Sequence, residues 1–385
     1  MTNRALIIGG GMGGLAAAIG LRDAGNDVAV FERNEVAAAE RGFGIMIWPN
    51  GMRALKQLGV ADAVYAAGCE LNRVEFRSNT GTRLLDWNVG ELGKGLGVPA
   101  VSVARAAVHR ALADKLGPES VTFGSWCTGV EQDEQSVTVN FRDQLPERGD
   151  FVIGADGVRS AIRGEHLGAA WPQFPPYAGY TIWHAVIENA DIDIPAGTFY
   201  QFLGKGSRLI AARIAPNRIY WSALGFVPQG GIGEDPSFLD TVKERFSGWA
   251  DPVSALFEAT RPDEVARRDI FGGVALDRWG FGRLTLLGDA AHPMTTVLGQ
   301  GGCMALEDAA VLSQSVAAEP DITRALRQYE QRRIQRTTEM MNLIKKFNPG
   351  GRETSIKVAV RNQMIKRAFH RGLGGQYVNF VRQPA

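Results

Sequence analysis

Three glycines stand at the spacing Gly9-x-Gly11-x-x-Gly14, directly after a short apolar run and before an Ala- and Leu-rich segment. Glycines at these places permit a tight turn, a close approach of backbone to a pyrophosphate and close packing of the next helix, whose N-terminus favours phosphate charge. Glu32 follows about twenty residues later, where a carboxylate accepts hydrogen bonds from an adenosine ribose and disfavours a 2′-phosphate. The pattern predicts a dinucleotide site suited to FAD or NAD rather than NADP.

Two aspartates follow apolar runs further along the chain. Asp156 comes after the run at 151–153, and Asp289 comes after the run at 284–287 in the sequence Gly-Asp-Ala-Ala-His-Pro. A glycine-rich turn at 299–302 closes the second segment. Open α/β sheets bind ligands at the carboxyl ends of their strands, so each aspartate is predicted to lie where a ligand binds.

The elements that position these residues follow from hydrophobic periodicity. The opening reads as strand, glycine turn, helix and strand, which is a βαβ unit. Alternating patterns then predict strands in 71–87, 121–141 and 177–226, and the last block suits an antiparallel sheet. Helical patterns follow in 307–318, 322–347 and 353–371.

We therefore predict two domains of an α/β protein that interleave along the chain. The boundaries are a nucleotide-binding domain of 1–72, 101–175 and 271–345, a substrate-binding β-sheet domain of 73–100 and 176–270, and a C-terminal helical tail of 346–385.

Composition excludes several classes of protein. The 385 residues include 42 Lys plus Arg against 41 Asp plus Glu, so no net charge draws the chain to nucleic acid or an anionic membrane. The three cysteines form no Cys-x-x-Cys pair, which argues against a metal site or a disulfide framework. No stretch reads as a transmembrane helix or a signal peptide, and we expect a cytoplasmic protein, monomeric or homodimeric.

Charge is nevertheless uneven, because 324–371 holds 13 Lys or Arg against three Glu. The simpler expectation is a solvated helical face near acidic surface of the same molecule. A role toward a partner or an anionic ligand is the alternative.

With these motifs in order, the sequence strongly resembles the single-component FAD-dependent aromatic hydroxylases, the group A flavoprotein monooxygenases, from residue 1 to about 345. Further shared features are Gly42-x-Gly44-Ile45, the Pro-Asn-Gly run at 49–51, and Arg105 at a helix start. The resemblance implies the p-hydroxybenzoate hydroxylase fold, in which a Rossmann-like FAD-binding domain interleaves with an antiparallel-sheet substrate domain.

The resemblance also implies a set of FAD-binding residues. Asp156 belongs to a motif that serves both FAD and NAD(P)H in this family, Asp289 approaches the ribityl or pyrophosphate group, and the last two glycines lie beside the isoalloxazine. No second glycine fingerprint appears, as expected if NADPH or NADH docks transiently. The full set is Gly9, Gly11, Gly14, Glu32, Arg33, Arg105, Asp156, Asp289, Gly299, Gly301 and Gly302.

The implied reaction begins with hydride transfer from NAD(P)H to FAD, continues with capture of O2 as a C4a-hydroperoxide, and ends with hydroxylation of an aromatic or polyketide-like small molecule. The catalytic candidates are His292, Pro293 and Thr296. His292 is a possible general acid or base, yet it matches a motif position that is mainly structural. Thr296 stands where many relatives have proline.

The predicted substrate is a planar aromatic or polycyclic molecule, and its candidate contacts are Met46, Trp48, His184, Arg208, Tyr220 and Met294. Arg208 and Tyr220 resemble substrate-binding positions of the urate hydroxylases, but Val297 replaces the aspartate of those enzymes, so urate is disfavoured. Epoxidation or Baeyer-Villiger-type oxygen insertion, a flavin-free NAD-dependent dehydrogenase and a flavin-binding sensor module remain alternatives.

Overall fold

The computed structural model describes residues 2–35, 43–166, 175–188, 191–230, 232–235, 237–347, 354–369 and 371–385, and Gly42 of the predicted motif lies outside them. The strands are β1 Arg4–Ile8, β2 Asp27–Phe31, β3 Gly44–Ile47, β4 Cys69–Leu71, β5 Arg73–Ser78, β6 Arg83–Asn88, β7 Ala100–Ala104, β8 Val121–Thr122, β9 Cys127–Gln132, β10 Val137–Phe141, β11 Glu147–Gly149, β12 Phe151–Gly154, β13 Tyr177–Glu188, β14 Thr198–Leu203, β15 Ser207–Ala215, β16 Arg218–Gly225, β17 Ile232–Glu234, β18 Ala266–Phe271 and β19 Leu284–Leu286. The helices are α1 Met12–Asp23, α2 Pro49–Gln57, α3 Ala61–Ala67, α4 Val89–Leu96, α5 Arg105–Leu116, α6 Ala161–His166, α7 Ser237–Arg245, α8 Val253–Glu258, α9 Gly301–Ala318, α10 Ile322–Phe347, α11 Ser355–Ala368 and α12 Leu373–Arg382.

A five-stranded parallel sheet in the order β19-β12-β1-β2-β8 carries the first three motifs. Strands β1, β12 and β19 are almost wholly apolar and buried, as is typical of parallel sheets that are covered on both faces. Since these strands run parallel, their carboxyl ends meet at one edge. The turns that follow bring Gly9, Asp156 and Asp289, distant in sequence, to that edge.

An eight-stranded sheet in the order β17-β18-β13-β16-β15-β14-β5-β6 forms the second layer. Its pairs are antiparallel except β14 with β5, which is parallel. A separate apolar cluster, which includes Trp221, Phe246 and Phe257, joins this sheet to α7 and α8. The predicted α/β class with an antiparallel sheet is confirmed, and the predicted domain boundaries stay a prediction.

The C-terminal helices differ from the prediction in one respect. The helix predicted over 322–347 is α10, and the one predicted over 353–371 is α11. Helix α12 lies within the helical tail predicted over 346–385, but it was not predicted as a separate helix, because Gly374 and Gly375 weaken helix propensity. Its formation is explained by tertiary packing, since Tyr377 and Phe380 are buried.

The expectation that the basic segment 324–371 is a solvated face is wrong for two of its arginines. Arg333 is 0% exposed and donates to the carboxylates of Glu307 and Asp308 at 2.7 Å each. Arg336 is buried and donates to both oxygens of Glu307. These ion pairs hold α10 against α9.

Of the helices in the described ranges, none is both long and apolar enough to cross a bilayer.

Candidate active site

In the first glycine turn, Gly11 has open space beside it, whereas Gly9 and Gly14 are closely packed. A Cβ on Gly9 would lie 2.3 Å from the carbonyl oxygen of Ala155, and a Cβ on Gly14 would lie 1.9 Å from that of Gly9. A Cβ on Gly11 would meet no protein atom within 4 Å. Gly9 and Gly14 are therefore required for packing, whereas Gly11 borders free space at the N-terminus of α1.

Glu32 directly follows β2 and lies beside this turn. Its Oε2 accepts from the amide of Gly10 at 2.7 Å, and its Oε1 accepts from the amide and the side chain of Asn34 at 2.8 Å each. The neighbouring Arg33 is exposed, and its guanidinium lies 5.7 Å from the centre of the Trp126 ring. The carboxylate thus fixes the glycine turn from the second strand.

The second motif, which contains Asp156, is joined by hydrogen bonds to the third motif, which contains Asp289. Asp156 Oδ2 accepts from the amide of Ala161 at 2.8 Å at the start of α6, while its Oδ1 is buried with no hydrogen-bond partner among the described residues. Burial raises the pKa of Asp156. Arg163 donates to the carbonyl of Ala290 at 2.8 Å and to that of Asp289 at 3.2 Å.

An inner cavity of about 370 Å³ lies between the parallel sheet and the eight-stranded sheet. The N-termini of α1, α5 and α9 border it, so three helix dipoles present their positive ends to one space. Asp289 is open to the cavity, and desolvation by the surrounding protein raises the pKa of its carboxyl group. Burial together with nearby Arg268 lowers the pKa of Arg105. The predicted residues that line this inner cavity are Gly11, Met46, Arg105, Arg208, Tyr220, Asp289, Met294, Thr296, Gly299, Gly301 and Gly302.

An outer cavity of about 660 Å³ adjoins it on the side of α11 and α12. Its wall is mainly apolar and aromatic, with Trp48, Trp87 and Phe369 among the rings. Trp48 and Trp87 stack with ring centres 6.3 Å apart. The two cavities share part of their lining, namely Met46, Gln201, Arg208, Ile210, Thr296, Val297 and Gly299.

The three predicted catalytic residues, His292, Pro293 and Thr296, lie in different environments along the third-motif loop. His292 is 1% exposed, lines neither cavity, and forms a hydrogen bond through Nε2 to Asp308. Although burial opposes ionisation, His292 and Arg333 lower the pKa of Asp308. Pro293 is buried and its carbonyl accepts from the amide of Gly273 at 2.9 Å. Thr296 alone of the three borders both cavities.

His184 also lies behind the cavity wall rather than in it. Its ring packs against Phe43 with centres 4.7 Å apart and lies near Tyr220. Burial lowers the pKa of His184 to about 3, so the imidazole is neutral at ordinary pH. Burial raises the pKa of Tyr220, which keeps its phenol protonated.

Most of the chain matches proteins of named activity. It matches the FAD binding domain family over residues 2–343. It is 36% identical over 344 residues to the FAD-dependent urate hydroxylase of Klebsiella pneumoniae, covering 88% of each chain. It is 34% identical over 336 residues to the aurachin C monooxygenase/isomerase of Stigmatella aurantiaca, covering 87% of this chain and 86% of that one. The crystal structure of Klebsiella pneumoniae HpxO with FAD and uric acid superposes with a TM-score of 0.90 at 32% identity, covering 99% of this chain and 97% of that chain.

The chain belongs to the FAD-dependent monooxygenases. The resemblance found in the sequence, the fold class and the FAD cofactor are confirmed. The geometry of this monooxygenase fits FAD, because the open space at Gly11 and the N-termini of three helices border one cavity.

Sequence reasoning missed three residues that position this site. His109 lies one turn after Arg105 on α5, and its Nε2 is 2.7 Å from the carbonyl oxygen of Gly10. Arg163 joins the second and third motifs, as described above. Tyr180 on β13 forms hydrogen bonds through its hydroxyl group to Thr296, accepting from the amide at 3.1 Å. Each had a signal in the sequence: His109 follows Arg105 by four residues on one helix face, Arg163 lies in the segment that follows Asp156, and Tyr180 lies in the strand block predicted over 177–226.

Proposed function

We propose that this monooxygenase hydroxylates an extended, planar, largely apolar aromatic molecule, with NAD(P)H as the electron donor. The observation that carries the proposal is the junction of the two cavities. An outer cavity of about 660 Å³ with an aromatic wall opens beside the proposed FAD site, so a polycyclic body has room to reach the reacting position.

The glycine turn and Glu32 hold the ADP half of FAD in this proposal. Arg105, Asp156 and Asp289 hold its middle, and the glycines at 299, 301 and 302 border its ring. When bound, FAD accepts a hydride from NAD(P)H and activates O2 for transfer of one oxygen atom to the substrate. Backbone N–H groups at the start of α9 favour negative charge on the ring.

The chain's own groups orient the substrate and exclude water. Trp48 lines the outer cavity and Thr295 lines the inner one, so both side chains are placed to contact the substrate. The protonated Tyr220 phenol is able to donate to a substrate oxygen at the inner cavity. The apolar wall removes water from the reacting centre.

We propose that urate is not the substrate, although Arg208 and Tyr220 line the inner cavity. By the resemblance noted in the sequence, Val297 stands where the urate hydroxylases carry an aspartate, and it lines the inner cavity. The outer cavity is also larger and more apolar than a small polar purine requires. Urate should therefore leave NAD(P)H oxidation at its basal rate.

We further propose a cytoplasmic enzyme that acts as a monomer or homodimer. The proposed cytoplasmic location is supported by the cysteines. All three are free thiols, as is usual in a reducing environment, namely Cys69, Cys127 and Cys303.

The test is a visible spectrum of the FAD-supplemented protein, followed by NADPH and NADH oxidation in air against small phenols, polycyclic phenols and purines. We expect flavin bands, stimulation by polycyclic phenols, and a product that gains one atom from isotopically labelled O2. Stimulation by purines alone, or label in none of the products, would contradict the proposal.

A further inference from the structure

The outer cavity combines an apolar wall with an unusual set of charges. Four cationic side chains line it, Arg208, Lys346, Lys357 and Arg361. Among the described residues of its lining there is no aspartate or glutamate. Several cationic side chains around a low-dielectric space create a positive potential that attracts anions.

Three of these cations lie on the side away from the proposed FAD site. Lys346 stands at the end of α10, and its Nζ is 3.4 Å from the neutral side-chain oxygen of Gln376. Lys357 and Arg361 are four residues apart on α11 and so occupy one face of that helix. All three line the outer cavity and not the inner one, whereas Arg208 lines both.

The apolar wall between these cations and the inner cavity is rich in aromatic rings. The ring of Phe369 lies 5.7 Å from that of Phe76 and 6.1 Å from that of Trp87. Ile356, Val360 and Met364 continue the apolar surface along α11, where they are 76%, 53% and 62% exposed. An apolar body placed on this surface would have the cations of α11 beside it, because both line the same cavity.

We propose that the outer cavity binds an amphipathic anion. Its planar apolar body lies on the aromatic wall, and a carboxylate, sulfonate or phosphate group contacts Lys357 and Arg361 at the α11 side. This inference rests on the proposed function and narrows its substrate class to aromatic molecules that carry an acidic group remote from the hydroxylated ring.

The test compares two fluorescent probes that share one skeleton, the anion anilinonaphthalene sulfonate and the neutral N-phenylnaphthylamine, titrated into the FAD-loaded enzyme. The anion should bind roughly tenfold more tightly. Lys357→Gln and Arg361→Gln should each weaken binding of the anionic probe roughly threefold and leave the affinity for the neutral probe unchanged. Lys357→Arg should retain binding, and Lys243→Gln, on the exposed face of α7, is the matched control. Equal affinity for both probes, or equal losses of both in the variants, would overturn the proposal.

A second arm separates this inference from the proposed function. Polycyclic phenols are assayed as free carboxylates and as their methyl esters, with KM and kcat measured separately. Coupled hydroxylation of acids and esters with equal KM overturns the anion site and leaves the hydroxylase. Selective binding of the anionic probe without hydroxylation of any phenol leaves the anion site and overturns the proposed function.

Discussion

At the scale of single residues, Glu32 connects the second strand to the glycine turn and, in our proposal, to the ribose of FAD. Glu32→Ala should weaken FAD binding roughly tenfold to a hundredfold, because hydrogen bonds to a charged group contribute about 1.5–3 kcal/mol. The measurement is the Kd from quenching of flavin fluorescence. Asp27→Ala, at the exposed start of the same strand, is the control. Equal flavin affinity in both variants would refute the assignment of Glu32.

Tyr180 positions the loop that carries Thr296. Proline has no amide hydrogen, so the bond from the Thr296 amide to the Tyr180 hydroxyl depends on the threonine at this site. Tyr180→Phe should lower the yield of hydroxylated product per NAD(P)H oxidised severalfold, because a displaced loop misaligns the substrate. Tyr177→Phe removes a hydroxyl that bonds elsewhere, to the carbonyl of Val227 at 2.7 Å, and should leave the yield unchanged. A loss in both variants would indicate a general effect on the sheet.

Buried His184 predicts a dependence of stability on pH. Its pKa of about 3 lies below the value of about 6.5 expected in the unfolded chain. Below about pH 6.5 the unfolded state therefore binds a proton that the folded state does not, and stability falls as pH decreases. Between about pH 8 and pH 5 this lowers the free energy of unfolding by about 2 kcal/mol. Urea titrations at both pH values should show a smaller loss for His184→Asn, and equal losses would contradict the buried neutral state.

At the scale of elements, one buried ionic network joins the helices. Glu307 on α9 accepts from Arg333 and Arg336 on α10 and from Asn50 on α2 at 2.9 Å. Gln300, just before α9, bonds to Asn50 and donates to the hydroxyl of Tyr377 on α12 at 2.7 Å. The network therefore links the helix that borders the proposed flavin ring to the C-terminal helices.

Arg333→Met should lower the free energy of unfolding by about 3–5 kcal/mol, because Glu307 and Asp308 would keep buried charges without their shared partner. Chemical denaturation followed by fluorescence measures this loss. Arg332→Met is the matched control, since Arg332 is the exposed neighbour on the same helix. Similar losses in the two variants would show that the buried network adds nothing to stability.

At the scale of the whole molecule, function depends on the passage between the two cavities. Ile210 on β15 lines both, so Ile210→Trp should narrow the passage. We expect kcat/KM to fall at least tenfold for polycyclic phenols and less than threefold for single-ring phenols, because only the larger body spans the junction. Ala215→Trp, at the other end of the strand, is the control. A uniform loss across substrates would contradict the proposed path.

The amino-acid sequence alone determined the dinucleotide turn, the two later aspartate motifs and the family. Such features are largely local, because the tight strand-to-helix turn holds Gly9 at a φ of 113° and brings the carbonyl of Gly9 against Gly14. Apolar periodicity likewise predicted the parallel strands and α10. Burial of Arg333 was not predictable, since a charged helix reads as a solvated face until its partners are known.

Only the tertiary structure decided which predicted residues face the site. His292 and Thr296 are only four residues apart, yet they lie in different environments. His292 is buried and bonded to Asp308, whereas Thr296 lies at the cavity and is bonded to Tyr180. Helix α12 forms because its apolar side chains, Tyr377 and Phe380, are buried against distant segments. The physical reason is the same in each case. Chain-local sterics and periodicity fix turns and elements, whereas burial and orientation depend on contacts between segments far apart in sequence.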